Sequence, residues 1–314
     1  MVHPSFPSML HYYNFQLNNF MSLQQKFTGT GIAIVTPFTE SGDFDWITLE
    51  KLINFWIDNK IEYLVVAGTT GESATLTREE EQKLFTFVKE KNAGRVPLVC
   101  GIGGNDTREV VHALQTMQLE GYDAILSVSP YYNKPGQEGL YQHYKAIDAV
   151  TPLPIIMYNV PGRTGLSVSA ETTIRIANDC PNIFATKEAS GNFDQFNYIM
   201  KHKPADFMLI SGDDPVALPM IALGAKGVIS VVANAYPLEF GDMIRLCLDG
   251  KFNEALPLHL KYTEIIASLF AEGSPAGIKQ YLKEMGLCSL NMRMPVVPVS
   301  EKHAEKIRGL MSAI

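Results

Sequence analysis

Eight short apolar runs follow one another along the chain from Gly31 onward, and amphipathic stretches separate them. The runs are rich in Val, Ile and Leu and lack strict alternation, which is typical of strands that are covered on both faces. They are Gly31–Val35, Tyr63–Ala67, Val96–Gly101, Ala124–Val128, Pro154–Tyr158, Ile183–Lys187, Phe207–Ser211 and Gly227–Val231. Because strand–helix units repeat at intervals of roughly 20–35 residues, the pattern predicts a parallel sheet with right-handed crossovers.

The number of these units predicts whether the sheet closes into a barrel or stays open. Eight units favour closure into a (β/α)8 TIM barrel, and 314 residues suit a fold that takes roughly 250 residues or more. An open doubly wound sheet is the alternative, but its dinucleotide-binding fingerprint is incomplete. The run Gly101-Ile-Gly-Gly-Asn-Asp begins like that fingerprint, yet Asp106 replaces the last glycine, so a tight turn after a strand explains the run better.

The pattern divides the chain into three predicted parts. Residues 28–235 form the barrel, residues 236–314 form a C-terminal helical region packed on it, and residues 1–27 form a disordered N-terminal extension. Helices are expected in the C-terminal region at Pro237–Leu248, Asn253–Phe270, Pro275–Met285 and Glu301–Met311. Met21 lies just before the first apolar run, and we expect translation to start near it rather than at Met1.

Composition and charge exclude several classes of protein. Hydrophobic residues make up 46% of the chain and charged residues 19%, which fits a globular protein with a large core. A net charge of −7 argues against non-specific binding of nucleic acid. The most apolar stretch, 221–235, is interrupted by Lys226 and two glycines, so we predict no membrane span.

The cysteines, the histidines and the N-terminus point to a cytoplasmic protein without metal. The four cysteines form no C-x-x-C pair, which predicts free thiols in a reducing compartment. The histidines have no metal-ligand spacing, so we expect neither a structural nor a catalytic metal. Residues 1–19 contain no Lys or Arg and therefore lack the basic start of a signal peptide.

Lys187 carries the sharpest chemical signal, because it ends the sixth predicted strand. Active sites of such barrels lie at the carboxyl ends of the strands. A buried ammonium shifts toward its neutral form, and a neutral amine can attack a ketone to form an imine. An ion pair with Glu188 is the competing interpretation, but neighbouring strand residues point to opposite faces, which disfavours it.

Two further strand ends present polar groups at the same face of the barrel. Tyr158 ends the fifth strand and could relay protons, and Arg163 follows in a turn where it could bind a carboxylate. Thr69 and Thr70 follow the second strand and could orient a carboxylate or pass a proton. Each residue also has a plain structural interpretation, as a loop anchor, a solvated arginine or turn residues. Their convergence on one face is what favours a catalytic site.

Five motifs together resemble the dihydrodipicolinate synthase family of class I aldolases, from about Thr28 to the C-terminus. The motifs are Gly68-Thr-Thr-Gly-Glu-Ser, Pro130-Tyr-Tyr-Asn-Lys-Pro, Tyr158-Asn-Val-Pro-Gly-Arg-Thr-Gly, Lys187-Glu-Ala-Ser-Gly-Asn and Ser211-Gly-Asp-Asp. The resemblance implies condensation of pyruvate with L-aspartate 4-semialdehyde to 4-hydroxy-tetrahydrodipicolinate, the first step of the diaminopimelate branch of lysine biosynthesis. It implies no cofactor other than a covalent lysine–pyruvate imine.

The same resemblance implies a role for each site residue. Lys187 would form the imine, and the proton relay would comprise Tyr158, Thr69 and Tyr132, the last reaching in from a neighbouring subunit. Substrate-binding roles fall on four residues: Thr70 for the pyruvate carboxylate, Arg163 for the semialdehyde carboxylate, and Gly212 and Ile229 as parts of the pocket wall. The shared tyrosine implies at least a homodimer, and members of the family are usually homotetramers.

A lysine-binding cleft is a further implication of the resemblance. Five residues match the cleft in which lysine inhibits many family members, namely Ser73, Ala74, Asn105, Glu109 and Tyr131. Two nearby positions depart from the family, because Arg78 and Glu81 stand where inhibited bacterial enzymes often have histidines. Lysine sensitivity is therefore a hypothesis of its own.

Other functions remain as alternatives at this point. N-acetylneuraminate lyase and 2-keto-3-deoxy sugar acid aldolases belong to the same superfamily and share the lysine and the tyrosine, whereas the double threonine and the Gly-Arg-Thr-Gly turn favour the synthase. A non-catalytic binding protein lacks support because all the proposed chemical residues are present. A phosphate-binding barrel is disfavoured, since Asp213 and Asp214 would repel phosphate where such barrels bind it.

Overall fold

A computed structural model of the chain describes residues 21–314. Eight parallel strands close into a barrel in sequence order, which confirms the predicted TIM barrel. The strands are β1 Gly29–Ala33, β2 Tyr63–Val66, β3 Leu98–Gly101, β4 Ala124–Val128, β5 Ile155–Asn159, β6 Ile183–Glu188, β7 Met208–Ser211 and β8 Gly227–Ser230. Nearly every strand residue is buried, because side chains fill the barrel on one face and helices cover the other.

The helices alternate with the strands and then continue beyond the last one. They are α1 Leu23–Lys26, α2 Trp46–Asp58, α3 Arg78–Asn92, α4 Thr107–Thr116, α5 Gln137–Asp148, α6 Pro161–Thr164, α7 Ala170–Asp179, α8 Phe193–His202, α9 Ala217–Ala222, α10 Pro237–Leu248, α11 Phe252–Phe270, α12 Ala276–Glu284 and α13 Glu301–Ser312. The last four form the C-terminal helical region. In the described part of the chain, no helix has both the length and the apolar character that a membrane crossing requires.

Local sequence signals explain where several helices begin. Thr77 and Glu80 form a capping box at the start of α3, since each side chain bonds the backbone N–H of the other residue. Helix α2 buries Leu49, Leu52 and Trp56 on one face, as its apolar spacing predicts. The Asp106 side chain accepts a hydrogen bond from the backbone of Arg108 and thereby caps the start of α4.

The prediction of a disordered N-terminal extension was wrong for its last residues, 23–27, which are ordered. Residues 1–20 lie outside the described part of the chain. The prediction that translation starts near Met21 therefore stays a prediction. Ser22 and Gln25 form a capping box that starts α1, and Phe27 is fully buried. The Phe27 ring makes an edge-to-face contact with Tyr63 at 5.3 Å and also approaches Phe184, so it belongs to the inner core of the barrel. Ordered structure therefore begins before residue 28.

Candidate active site

Lys187 lies near the carboxyl end of β6 and is 4% exposed. Burial lowers the pKa of its amine from 10.5 to about 8. The carboxylates of Asp214 and Asp213 act in the opposite direction, and the positive charge of Arg163 adds to the lowering. Roughly one-tenth of the amine is therefore neutral at pH 7, and the neutral form is the one that attacks a ketone.

A β-bulge between β5 and β6 sets the neighbour of Lys187. Ile183 pairs with Ile155, but the pairing then skips one residue of β6, so that Lys187 pairs with Tyr158. Phe184 and Ala185 consequently both contribute to the inner core. The extra residue thus brings the amine alongside the phenol rather than alongside Asn159.

Glu188 points away from Lys187, to the outer face of the strand. Its carboxylate accepts hydrogen bonds from the side chains of Asn159 at 3.0 Å and Gln195 at 2.8 Å, and from the backbone of Ser190 at 2.9 Å. Its negative charge is thus engaged on the opposite side from the Lys187 amine. This arrangement agrees with the strand alternation and removes the main structural explanation for a buried lysine.

Tyr158 is the second reactive group of the site. Burial raises the pKa of its phenol to about 12, while the positive charge of Arg163 and hydrogen bonding with the Thr69 hydroxyl act to lower it. The phenol is therefore protonated at neutral pH and can both donate and accept a proton within a chain of hydroxyls.

One cavity, of about 670 Å³, brings together most of the predicted site residues at the mouth of the barrel. Its lining includes Thr69, Thr70, Tyr158, Arg163, Lys187 and Gly212. A Cβ atom at Gly212 would lie 2.8 Å from Cβ of Ala189 and 3.1 Å from Cγ and Cε of Lys187. Glycine at this position therefore leaves the lysine side chain room to carry a substrate.

Two predicted residues lie outside that lining. Ile229 is buried in the inner core beneath the cavity, and Val231 lines the wall in its place. Tyr132 is 88% exposed, adopts a left-handed φ of +69° and is absent from the lining. The Tyr132 side chain therefore does not contact this cavity within the described chain.

A second cavity, of about 540 Å³, adjoins the first and shares Thr69, Tyr158 and Arg163 with it. Three of the residues that match a lysine cleft line this cavity, namely Ser73, Ala74 and Tyr131. The other two, Asn105 and Glu109, do not line it. Arg78 and Glu81 line it as an ion pair with a 2.7 Å separation, so charged groups stand where the family pattern often has histidines.

The sequence did not reveal two groups of residues that belong to the site. The C-terminal helix α11 contributes four residues to the 670 Å³ cavity, Thr263, Ile266, Ala267 and Phe270, and no motif marks them. Asp214 is buried below the cavity, where it accepts hydrogen bonds from the backbones of Val231 and Val232, and burial raises its pKa to about 6. Its place within Ser211-Gly-Asp-Asp was the available signal.

The fold and the site together define a (β/α)8-barrel enzyme with a buried, partly neutral amine at the mouth of the barrel. The chain belongs to the dihydrodipicolinate synthetase family, whose sequence model matches residues 26–314. This match confirms the resemblance found in the sequence.

Individual relatives agree with the family assignment. The 4-hydroxy-tetrahydrodipicolinate synthase of Parabacteroides distasonis is 51% identical over 90% of this chain and 95% of its own length. The crystal structure of dihydrodipicolinate synthase from Aquifex aeolicus superimposes with a TM-score of 0.89 at 41% identity, covering 91% of this chain and 98% of that one. A crystal structure of DHDPS from Cyanidioschyzon merolae with lysine bound gives a TM-score of 0.88 at 40% identity, with 91% and 98% coverage. The comparisons favour the synthase over the sugar acid aldolases.

Proposed function

We propose that the chain is a lyase that condenses pyruvate with L-aspartate 4-semialdehyde to give 4-hydroxy-tetrahydrodipicolinate, the first step of the diaminopimelate branch of lysine biosynthesis. The observation that carries the proposal is the amine of Lys187, whose pKa is about 8 and which lines a cavity large enough for both small substrates. The names of relatives at up to 51% identity support it.

The reaction uses the neutral amine of Lys187 as a nucleophile. The nitrogen adds to the ketone carbon of pyruvate, and the resulting carbinolamine loses water to give a protonated imine. This iminium accepts electrons, so the methyl group can lose a proton and form an enamine. The enamine carbon then attacks the aldehyde carbon of the semialdehyde, whose oxygen takes up a proton. The amino group of the semialdehyde next adds to the iminium carbon and displaces the Lys187 nitrogen, which closes the ring and releases 4-hydroxy-tetrahydrodipicolinate. No cofactor is needed, because the imine itself serves as the electron sink.

Neighbouring groups supply proton transfer and charge. Tyr158 and Thr69 pass protons during formation and collapse of the carbinolamine, and Tyr132 completes the relay from a second subunit. Thr70 binds the pyruvate carboxylate. Arg163 binds the carboxylate of the semialdehyde at the cavity mouth, where a guanidinium can engage both oxygens.

A comparison of aldehyde substrates tests the assignment. With pyruvate present, the chain should consume L-aspartate 4-semialdehyde at least about 100-fold faster than N-acetylmannosamine, in keeping with sites built to pair a polar substrate group. The Lys187→Ala variant controls for uncatalysed condensation. Faster consumption of N-acetylmannosamine would overturn the synthase assignment in favour of the neuraminate lyase branch.

The exposed Tyr132 supports a homo-oligomer, in which this side chain enters the site of a neighbouring copy. A dimer is the smallest assembly that completes the relay, and we propose a cytoplasmic tetramer built from two such dimers. Sedimentation analysis should show a species of about four chain masses at working concentration. A monomer with full activity would contradict a shared site.

The 540 Å³ cavity supports lysine as an inhibitor. Ser73, Ala74 and Tyr131 line it, and a similar structure from Cyanidioschyzon merolae contains lysine. The pair Arg78–Glu81 would meet the zwitterionic head group, with Asn105 and Glu109 joining from the rim. Initial rates should fall across millimolar lysine, and the Glu81→Gln variant should weaken the inhibition. A flat rate in the wild-type chain would remove this proposal.

A further inference from the structure

The loop that carries Thr69 and Thr70 is held in an unusual backbone conformation. The backbone N–H of Gly71 bonds the carbonyl of Gly68 at 3.1 Å, and that of Glu72 bonds the carbonyl of Thr69 at 3.1 Å. Glu72 adopts a left-handed φ of +58°, which a residue with a side chain rarely adopts without support. Some other part of the protein must therefore stabilise this turn.

A buried ion pair supplies that support. The amine of Lys279, in helix α12 of the C-terminal region, lies 2.6 Å from one carboxylate oxygen of Glu72, and both side chains are excluded from solvent. The second oxygen of Glu72 accepts a hydrogen bond from the backbone of Arg293 at 3.0 Å. Lys279 also donates to the carbonyl of Asn291 at 2.9 Å. The Glu72 carboxylate thus joins the threonine loop to the C-terminal region at two points, Lys279 and the backbone of Arg293.

Stability alone does not explain this pair. Two charges removed from water lose most of their hydration, and well-packed apolar side chains of similar volume often give an equally stable protein. The surroundings would accept such a side chain, because the Lys279 amine lies 4.8 Å from the centroid of the Phe38 ring. An ion pair differs from an apolar contact in that it fixes the distance and the direction between its partners.

We propose that the Glu72–Lys279 pair is a positioning element for pyruvate, which holds Thr69 and Thr70 in place above Lys187. The inference rests on the proposed function, because it takes Thr70 as the carboxylate ligand and Thr69 as a relay group. Glu72 lines the adjoining 540 Å³ cavity, but neither Glu72 nor Lys279 lines the 670 Å³ cavity that contains Lys187, so the pair acts on that site through the loop. Glu72 ends the double-threonine turn and directly precedes Ser73. It is therefore the residue through which the C-terminal region contacts the loop.

The proposal predicts a specific kinetic signature. Loss of the pair shifts the threonine hydroxyls, so KM for pyruvate rises and kcat falls, with a combined loss in kcat/KM of about 100-fold. KM for the semialdehyde stays within about twofold, because Arg163 is held by a different loop, after β5. A purely structural pair would instead lower the active fraction and leave both KM values unchanged.

Three variants test the proposal. Lys279→Met removes the cation and leaves the Glu72 carboxylate buried, so this single variant is expected to lose stability as well. The double variant Glu72→Gln/Lys279→Met leaves no buried charge and should recover thermal stability. Lys261→Met is the control, because it removes another C-terminal lysine from a carboxylate, Glu239 at 2.8 Å, on a partly exposed face.

The double variant decides the outcome. A folded double variant with raised KM for pyruvate and unchanged KM for the semialdehyde supports the positioning role. Wild-type values for both substrates in that variant would overturn the role, whatever the single variant does. Borohydride reduction with pyruvate keeps this result separate from the main proposal: if the wild-type chain gains no adduct on Lys187, the proposed function fails, whereas an adduct with unchanged kinetics in the variants rejects only the positioning.

Discussion

The amine nitrogen of Lys187 lies 4.2 Å from the centroid of the Tyr158 ring, and the two residues pair directly across β5 and β6. Both side chains are buried, so the proposed nucleophile and the proposed proton-transfer group are both largely shielded from solvent. The same burial lowers the pKa of the amine and raises the pKa of the phenol. Each group is thereby shifted toward its neutral form, which is the form that imine chemistry requires.

Removal of the phenol hydroxyl should slow catalysis without unfolding the chain. Tyr158→Phe should lower kcat by at least about 100-fold, because a positioned proton donor contributes that much or more. Tyr122→Phe is a matched control, since the buried Tyr122 hydroxyl donates to the Phe85 carbonyl at 3.0 Å and Tyr122 lines neither cavity. Steady-state rates with melting curves check the prediction, and wild-type turnover by Tyr158→Phe would remove this residue from the relay.

The rate of imine formation should rise with pH through an inflection near 8. Below the pKa of Lys187 the amine is protonated, so at pH 7 only roughly one-tenth of it is neutral. Asp214 raises that pKa, and Asp214→Asn should therefore move the inflection to lower pH. The asparagine oxygen can still accept from the backbones of Val231 and Val232, so the turn should persist.

Initial rates of borohydride trapping at a series of pH values measure this inflection. Asp206→Asn serves as the control, because Asp206 is exposed and takes no part in the pKa of Lys187. An inflection that stays fixed, or moves to higher pH, in Asp214→Asn would contradict the electrostatic assignment.

Arg163 should discriminate between the two substrates. Arg163→Ala should raise KM for L-aspartate 4-semialdehyde by about 10- to 100-fold, since a hydrogen bond to a charged group is lost. KM for pyruvate should change much less. Arg108→Ala provides the comparison, because the Arg108 side chain is 91% exposed. Equal rises in both KM values would contradict the assignment of Arg163 to the carboxylate of the semialdehyde.

The sequence predicted the fold well for a physical reason. Burial on both faces makes the strands continuous apolar runs, and eight such runs are visible without any tertiary information. The burial of Lys187 was also predictable, because a basic residue that ends an apolar strand conflicts with its surroundings. The short helix at 23–26 and the burial of Phe27 were missed, since Phe27 packs against Tyr63 and Phe184, which lie far along the chain.

The remaining details of the site depend on long-range geometry. Pairing of Lys187 with Tyr158 requires the bulge at Phe184, and no local pattern marks a bulge that only a neighbouring strand defines. The contribution of α11 to the lining of the 670 Å³ cavity could not be predicted either. A helix packed over the mouth of the barrel has the same amphipathic pattern as a helix packed elsewhere. Motifs marked the candidate reacting groups, whereas packing determined how these groups are enclosed.

Subunit mixing should reveal whether Tyr132 is shared. Tyr132→Phe and Lys187→Ala should each be nearly inactive alone. If Tyr132 enters the neighbouring site, a mixed dimer contains one site with Lys187 from one chain and Tyr132 from the other, and activity returns. Denaturing and refolding the two variants together, with each alone as the control, makes the measurement. Failure to regain activity in verified mixed dimers would place Tyr132 outside the relay.

Trapping of the covalent intermediate is the most direct test of the Schiff-base mechanism. The chain is incubated with pyruvate, reduced with borohydride and digested, and the mass of the peptide that contains Lys187 is measured. The predicted result is one reduced pyruvate adduct per chain, on Lys187, and none in Lys187→Ala. An unmodified Lys187 peptide, or full turnover by Lys187→Ala, would contradict the mechanism.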